Sequence, residues 1–159
     1  MIVITGVRSG SKEQPVIINY DGDNGRPYKP GKSMRRVLVA MWGVDGSQYV
    51  GKRLILYCDT KVQFGGDEVG GIRISHASGI SETLSIALTV RRAKKEMFKV
   101  LPLPETEDLI KQGEAMAKKG SAALASWFAD LPAVGGIKKD FWATHGEKLK
   151  ALAAQQTQS

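Results

Sequence analysis

An α+β chain is predicted, with a small barrel or strongly curved antiparallel sheet interrupted by one short helix and followed by a helical C-terminal region. Three observations predict it. Short apolar or alternating segments separated by Gly and Pro turns recur through the first hundred residues. A single stretch, Met34 to Trp42, changes to the three-and-four spacing of a helix. Beyond Pro102 and Pro104 the composition shifts to Ala, Lys, Glu and Leu. A chain of 159 residues fits one well-buried domain with an appendage, divided here into a β domain over 1–103 and a helical region over 104–159.

Ile2, Val3, Ile4 and Val7 suggest a first strand and Val16, Ile17 and Ile18 a second, joined by the turn SGSKEQ as a hairpin. The segment DGDNGRPYKPGK carries the Asn-Gly and Pro signals of a loop. Met34, Val37, Leu38, Met41 and Trp42 then fall on one helical face, with Ser33 as the expected N-cap and Gly43 as the C-terminal stop. Arg53 to Cys58 is a strongly apolar strand. Lys61 to Phe64 and Ile72 to His76 alternate on either side of a Gly-Gly-Asp-Glu-Val-Gly-Gly hairpin tip. Thr83 to Arg92 places Leu84, Ile86, Leu88 and Val90 on one face, and the basic turn RRAKK leads into a last strand from Met97 to Leu101. Five or six such strands with one inserted helix fit an oligonucleotide-binding (OB) type barrel. In the helical region, Leu109, Ile110, Met116 and Ala117 fit one helix, Leu124, Trp127, Phe128 and Leu131 a second, and Leu149 and Leu152 a terminal one.

The net charge of +7 is unevenly placed. Residues 29–99 hold thirteen Lys and Arg against six Asp and Glu, whereas both flanks are balanced. A basic segment of this kind suits a polyanionic partner, since cations that neutralise phosphates release counterions; a solubilising surface is the other reading. Arg35 and Arg36 sit in the first helical turn, where the macrodipole disfavours cations, and with Lys32 they raise the potential that attracts an anion. Alternatively they are solvated arginines on a helix held by packing.

Familiar catalytic patterns fail on spacing. Gly31-Lys32-Ser33 is not a phosphate-binding loop, because Arg26 stands where the first glycine is required. Gly65 to Gly71 is followed by a strand rather than a helix and so is not a dinucleotide fingerprint. Two histidines and one cysteine offer neither a zinc cluster nor a compact triad, and Cys58, within LILYCD, is expected to be a buried structural thiol. No cofactor is indicated and a non-enzymatic protein is expected. No apolar run approaches the roughly 18 residues of a membrane span. The start MIVITGVRSG lacks the features of a secretory signal, so a cytoplasmic location is expected.

Basic and aromatic residues interleave as in grooves that hold a single strand by its phosphates and stack its bases. The expected phosphate contacts are Lys32, Arg35, Arg36, Lys52, Arg53, Lys61, Arg73, Arg91, Arg92, Lys94 and Lys95, and the candidate stacking residues are Tyr49, Tyr57 and Phe64. Trp42 is expected in the core.

The stretch PYKPGKSMRRVLVAMWGVDGSQYVGKRLILYCDTKVQFGGDEVGGIRISHASGI resembles a largely uncharacterised family of small proteins of tailed phages and prophages, with a match over about residues 27–101. The run from Gly120 to Leu131 is similar to helical tails of phage recombination and replication modules. That resemblance implies a place in DNA metabolism within the bacterial host cytoplasm, and it carries no catalytic motif. Single-stranded DNA is then the expected partner, with the helical tail contacting itself in a homo-oligomer or contacting a recombination or replication protein. A second expectation is a module that modulates a recombinase, nuclease or host factor through an exposed Trp127-Phe128 face. A nuclease subunit is a third.

Overall fold

A computed structural model describes residues 1–65, 67–91 and 94–155, the side chains of Phe64, Val90, Arg91 and Lys94 excepted. The chain forms two compact units, Met1–Leu103 and Pro104–Ser159. The first contains strands β1 (Ile2–Ser9), β2 (Val16–Tyr20), β3 (Arg53–Asp59), β4 (Gln63–Phe64), β5 (Asp67–Glu68), β6 (Gly71–Ala77), β7 (Leu84–Arg91) and β8 (Lys94–Pro102), with helix α1 (Lys32–Trp42) inserted after β2. The second contains α2 (Thr106–Ala117), α3 (Ser121–Asp130) and α4 (Ile137–Gln155).

Six strands of the first unit make one sheet in the order β2-β1-β3-β6-β8-β7, while β4 and β5 pair only with each other. This sheet is mixed and open. β6 and β8 run parallel, with His76 opposite Leu101 and Ala77 opposite Pro102, and the sheet does not close, whereas an OB-type barrel or a curved antiparallel sheet was expected. The difference arises because β8 returns to the side of β6 and leaves β7 outermost, a choice of neighbour that alternation within a strand does not encode. Register shifts at Ile4/Gly6, Ile55/Leu56 and Thr89/Arg91 mark bulges in three strand pairs, and bulges bend and twist a sheet.

α1 covers one face of this sheet. Met34, Val37 and Leu38 are buried in one cluster with Ile4, Ile18, Leu54, Ile74, Leu88 and Val100, so every long strand contributes to the same core. The helix ends as expected at Gly43, whose φ of +85° lies in the region open to glycine. Its start is different: Gly31 is the N-cap, with no side-chain cap, and Ser33 lies inside the first turn. Pro30 and Gly31 bring an extended chain directly to the helix, so it begins before Ser33 can cap it.

The second unit packs α2 closely on its neighbours at Gly113, where a side chain would meet Leu149 and Trp127 at about 3 Å. Leu109, Leu124, Phe141 and Leu149 are buried there. No described helix is long and apolar enough to cross a membrane.

Candidate nucleic-acid interface

The loop between β2 and α1 is built rather than slack. Asn24 and Gly25 both have positive φ, Asp23 accepts bonds from Asn19 Nδ2 and the Gly25 N–H at 2.9 Å each, and Arg26 N–H donates to the Asp23 carbonyl at 2.7 Å. The bond from Asn19 is the main cause holding the Asp23 carboxyl below the usual carboxylate range. Farther along, Tyr28 and Ile18 exchange two backbone hydrogen bonds at 2.8 Å, and the Tyr20 hydroxyl donates to the Arg26 carbonyl. Arg26-Pro-Tyr-Lys29 is thereby pinned beside the sheet.

Facing this loop, the last residues of β3 and the first of β6 run past the cover of α1. The space between them is an open groove of about 940 Å³. On one side stand Arg26, Tyr28, Lys29 and the first turn of α1 from Gly31 to Met34; on the other stand Leu56, Tyr57, Cys58, Ile72 and Arg73. Val62, Gln63, Val69 and Gly70, in and beside the β4–β5 hairpin, also line it, as do Tyr20 and Gln14. Four cations, Arg26, Lys29, Lys32 and Arg73, share this groove with three tyrosines and an apolar floor. Ile72 is 47% exposed and Tyr57 42%, so apolar and aromatic surface is open beside the charges.

Two polar atoms of residues lining the groove are buried without a hydrogen-bond partner among the described residues: the Tyr28 hydroxyl and Arg73 Nε. Arg73 is held by charge instead, 3.7 Å from Asp59 Oδ2, and its guanidinium lies 5.7 Å from the centre of the Phe98 ring. Tyr28 is only 8% exposed, and burial pushes its ionisation well above the usual tyrosine range while the Arg73 charge pulls the other way. A buried hydroxyl with no partner costs roughly 1–3 kcal/mol, so Tyr28→Phe is expected to stabilise this unit by about 1 kcal/mol at neutral pH. An unfolded tyrosine ionises near pH 10.0 while folded Tyr28 stays neutral, so stability falls as pH rises past 10.0. In the Phe variant that component of the alkaline loss is absent, which denaturant unfolding followed at the Ile74 and Val100 methyl resonances of this unit, at pH 7 and above pH 10, would measure.

Of the expected contacts, Lys32, Tyr57 and Arg73 converge on the groove. Arg35 turns back to donate to the Pro30 carbonyl at 2.9 Å, and with Arg36 it lines a separate shallow patch beside Val39 and Ile86. Lys52 and Arg53 lie at the opposite end of β3, Lys61 is exposed in the turn after it, and Lys95 is exposed on β8. Tyr49 requires correction as a stacking residue: it is 4% exposed, its ring meets Trp42 edge-on at 5.2 Å, and its hydroxyl donates to the Gly43 carbonyl at 2.6 Å. Trp42 is half-buried, its Nε1 donating to the Ser78 carbonyl. Cys58 is exposed, contrary to the buried thiol expected, because it stands where β3 has left the helix cover. Arg92 lies outside the described residues, as do the side chains of Phe64, Arg91 and Lys94.

Sequence reasoning missed Arg26, Lys29, Tyr20 and Tyr28. Their signal was three cations within seven residues, Arg26 to Lys32, threaded by two prolines that stiffen the backbone. In the helical unit, Trp127 and Phe128 are half-buried and partnered, Trp127 on Phe141 and Gln112, Phe128 on Trp142 and Lys138. Among the described residues of that unit the two rings are therefore packed on neighbours, where an exposed apolar face was expected. Comparison with protein-family models, curated proteins and solved structures finds no match to this chain.

Proposed function

We propose that the Met1–Leu103 unit binds single-stranded DNA along this groove, as a non-enzymatic component of phage or prophage DNA metabolism. The observation that carries the reading is the convergence of Arg26, Lys29, Lys32 and Arg73 with Tyr20, Tyr28 and Tyr57 around one open channel. Cations lining the groove suit phosphates, and the exposed ring of Tyr57, cross-strand from Arg73, suits an unstacked base, which a duplex does not offer. In this reading the curved sheet acts as an OB-like platform whose groove is made by loops and strand ends.

Titration of a fluorescent oligothymidylate with the full chain at several salt concentrations tests it. Four phosphate contacts predict a log–log salt slope of about −3 for a single strand. Absence of binding at low salt, or binding insensitive to salt, refutes the proposal.

A further inference from the structure

We infer that the uncapped first turn of α1, in the groove that Tyr28 and Arg73 also line, is the point at which a phosphate group is seized. The inference rests on the strand-binding reading above and adds where, and through which atoms, a strand is anchored.

α1 has the free donors such a site needs. Its first intrahelical bond runs from the Arg35 N–H to the Gly31 carbonyl, which leaves the N–H groups of Lys32, Ser33 and Met34 without helical acceptors. The N-cap Gly31 makes no side-chain cap bond to them and no acidic residue occupies the first turn, so the helix itself supplies no substitute for an external anion. Gly31 to Met34 line the groove, and a Cβ placed on Gly31 would meet nothing within 4 Å. The backbone is therefore open to a ligand there.

A second observation, on other elements, points the same way. Among the described residues the Tyr28 hydroxyl, on a side chain more than nine-tenths buried, and Arg73 Nε both lack hydrogen-bond partners, and both residues line this groove. They are close enough for the arginine charge to act on the tyrosine. Two buried donors left unsatisfied in the lining of one groove call for an acceptor, and Asp59 at 3.7 Å holds Arg73 without a hydrogen bond to Nε. A phosphate has several acceptor oxygens and a negative charge. It would take bonds from first-turn amides, the tyrosine hydroxyl and the guanidinium, drawing Arg73 from Asp59, with Lys32 at the rim.

The full-length chain, titrated with inorganic phosphate and with oligothymidylate with and without a 5′-phosphate, tests this by amide NMR and by affinity. Both ligands are expected to move the Ser33 and Met34 amide protons, and the strand is expected to displace phosphate. A preference for the 5′-phosphorylated strand assigns the anchor to a strand end, and equal affinity assigns it to an internal phosphodiester. Lys32→Pro removes a charge and a free N–H at the helix position that best tolerates proline, after a Gly31 already extended at ψ 169°. Lys32→Gln removes the charge alone. Lys32→Pro is expected to bind the strand about tenfold more weakly than Lys32→Gln, and Tyr28→Phe about tenfold more weakly than the parent, as for lost bonds to a charged group.

Equal affinities for Lys32→Pro and Lys32→Gln, with unmoved Ser33 and Met34 amides and a strand that still binds, overturn the anchor and leave the strand-binding reading standing. A strand that binds without displacing phosphate overturns the assignment of the anchor to the strand. Failure of every oligonucleotide to bind removes the reading beneath and the anchor with it.

Discussion

Leu38→Ala is expected to destabilise the Met1–Leu103 unit by about 3 kcal/mol, within the range for leucine truncations that leave a cavity in a rigid core. Leu38 is 1% exposed and shares its cluster with Val37, Leu54 and Ile74. Its helix is 11 residues long, too short to persist alone in water, so α1 exists because this face is buried. The loss corresponds to a fall in Tm of more than about 10 °C for a unit of this size. Because the chain has two units, global melting is the wrong measurement. Native-state hydrogen exchange at the amides of Ile74 and Val100 reads the first unit, while those of Leu124 and Leu149 read the second and are expected to be unchanged. Val39→Ala, exposed on the same helix, is the control at under about 0.5 kcal/mol. A loss below about 1 kcal/mol at Leu38 would mean that α1 is not docked as described.

The same residues explain what could be read from the chain in advance. Met34, Val37 and Leu38 announce the helix and its buried face because a 3.6-residue period is a local property, and Leu84, Ile86 and Leu88 announce β7 by alternation. Which strand lies beside which is not local, and the parallel β6–β8 pair was invisible for that reason. Cys58 and Tyr57 show the limit of an apolar run as a sign of burial. The run from Leu54 to Cys58 is apolar throughout, yet the helix covers only part of it, and its uncovered end lines the groove. Tyr49 shows the converse, an aromatic among polar neighbours that is core because its hydroxyl finds the Gly43 carbonyl left open by the helix end. The groove's near side was hidden in DGDNGRPYKPGK, whose turn signals mark a loop. That Tyr28 pairs with Ile18, and so holds Arg26 and Lys29 against the sheet, depends on contacts ten residues apart.

Charge removal in that loop gives the largest expected effect on binding. The triple variant Arg26→Gln, Lys29→Gln, Lys32→Gln removes three exposed cations without touching a buried side chain. Each cation that neutralises a phosphate of a single strand contributes about 0.7 to the salt slope, so the slope should shrink by about 2 and affinity should fall on the order of 100-fold at ~50 mM salt. Net charge alone would also weaken binding, and the control is built to separate the two. Lys111→Gln, Lys119→Gln, Lys139→Gln changes the net charge equally at exposed positions of the helical unit. If steering by the whole chain were the cause, both triples would lose affinity alike, whereas a groove that holds phosphates directly loses affinity in the first triple and nearly none in the second. Equal losses would locate the polyanion contact elsewhere on the basic surface, and the candidates would then be Arg35 and Arg36 beside Val39, or Lys95 on β8.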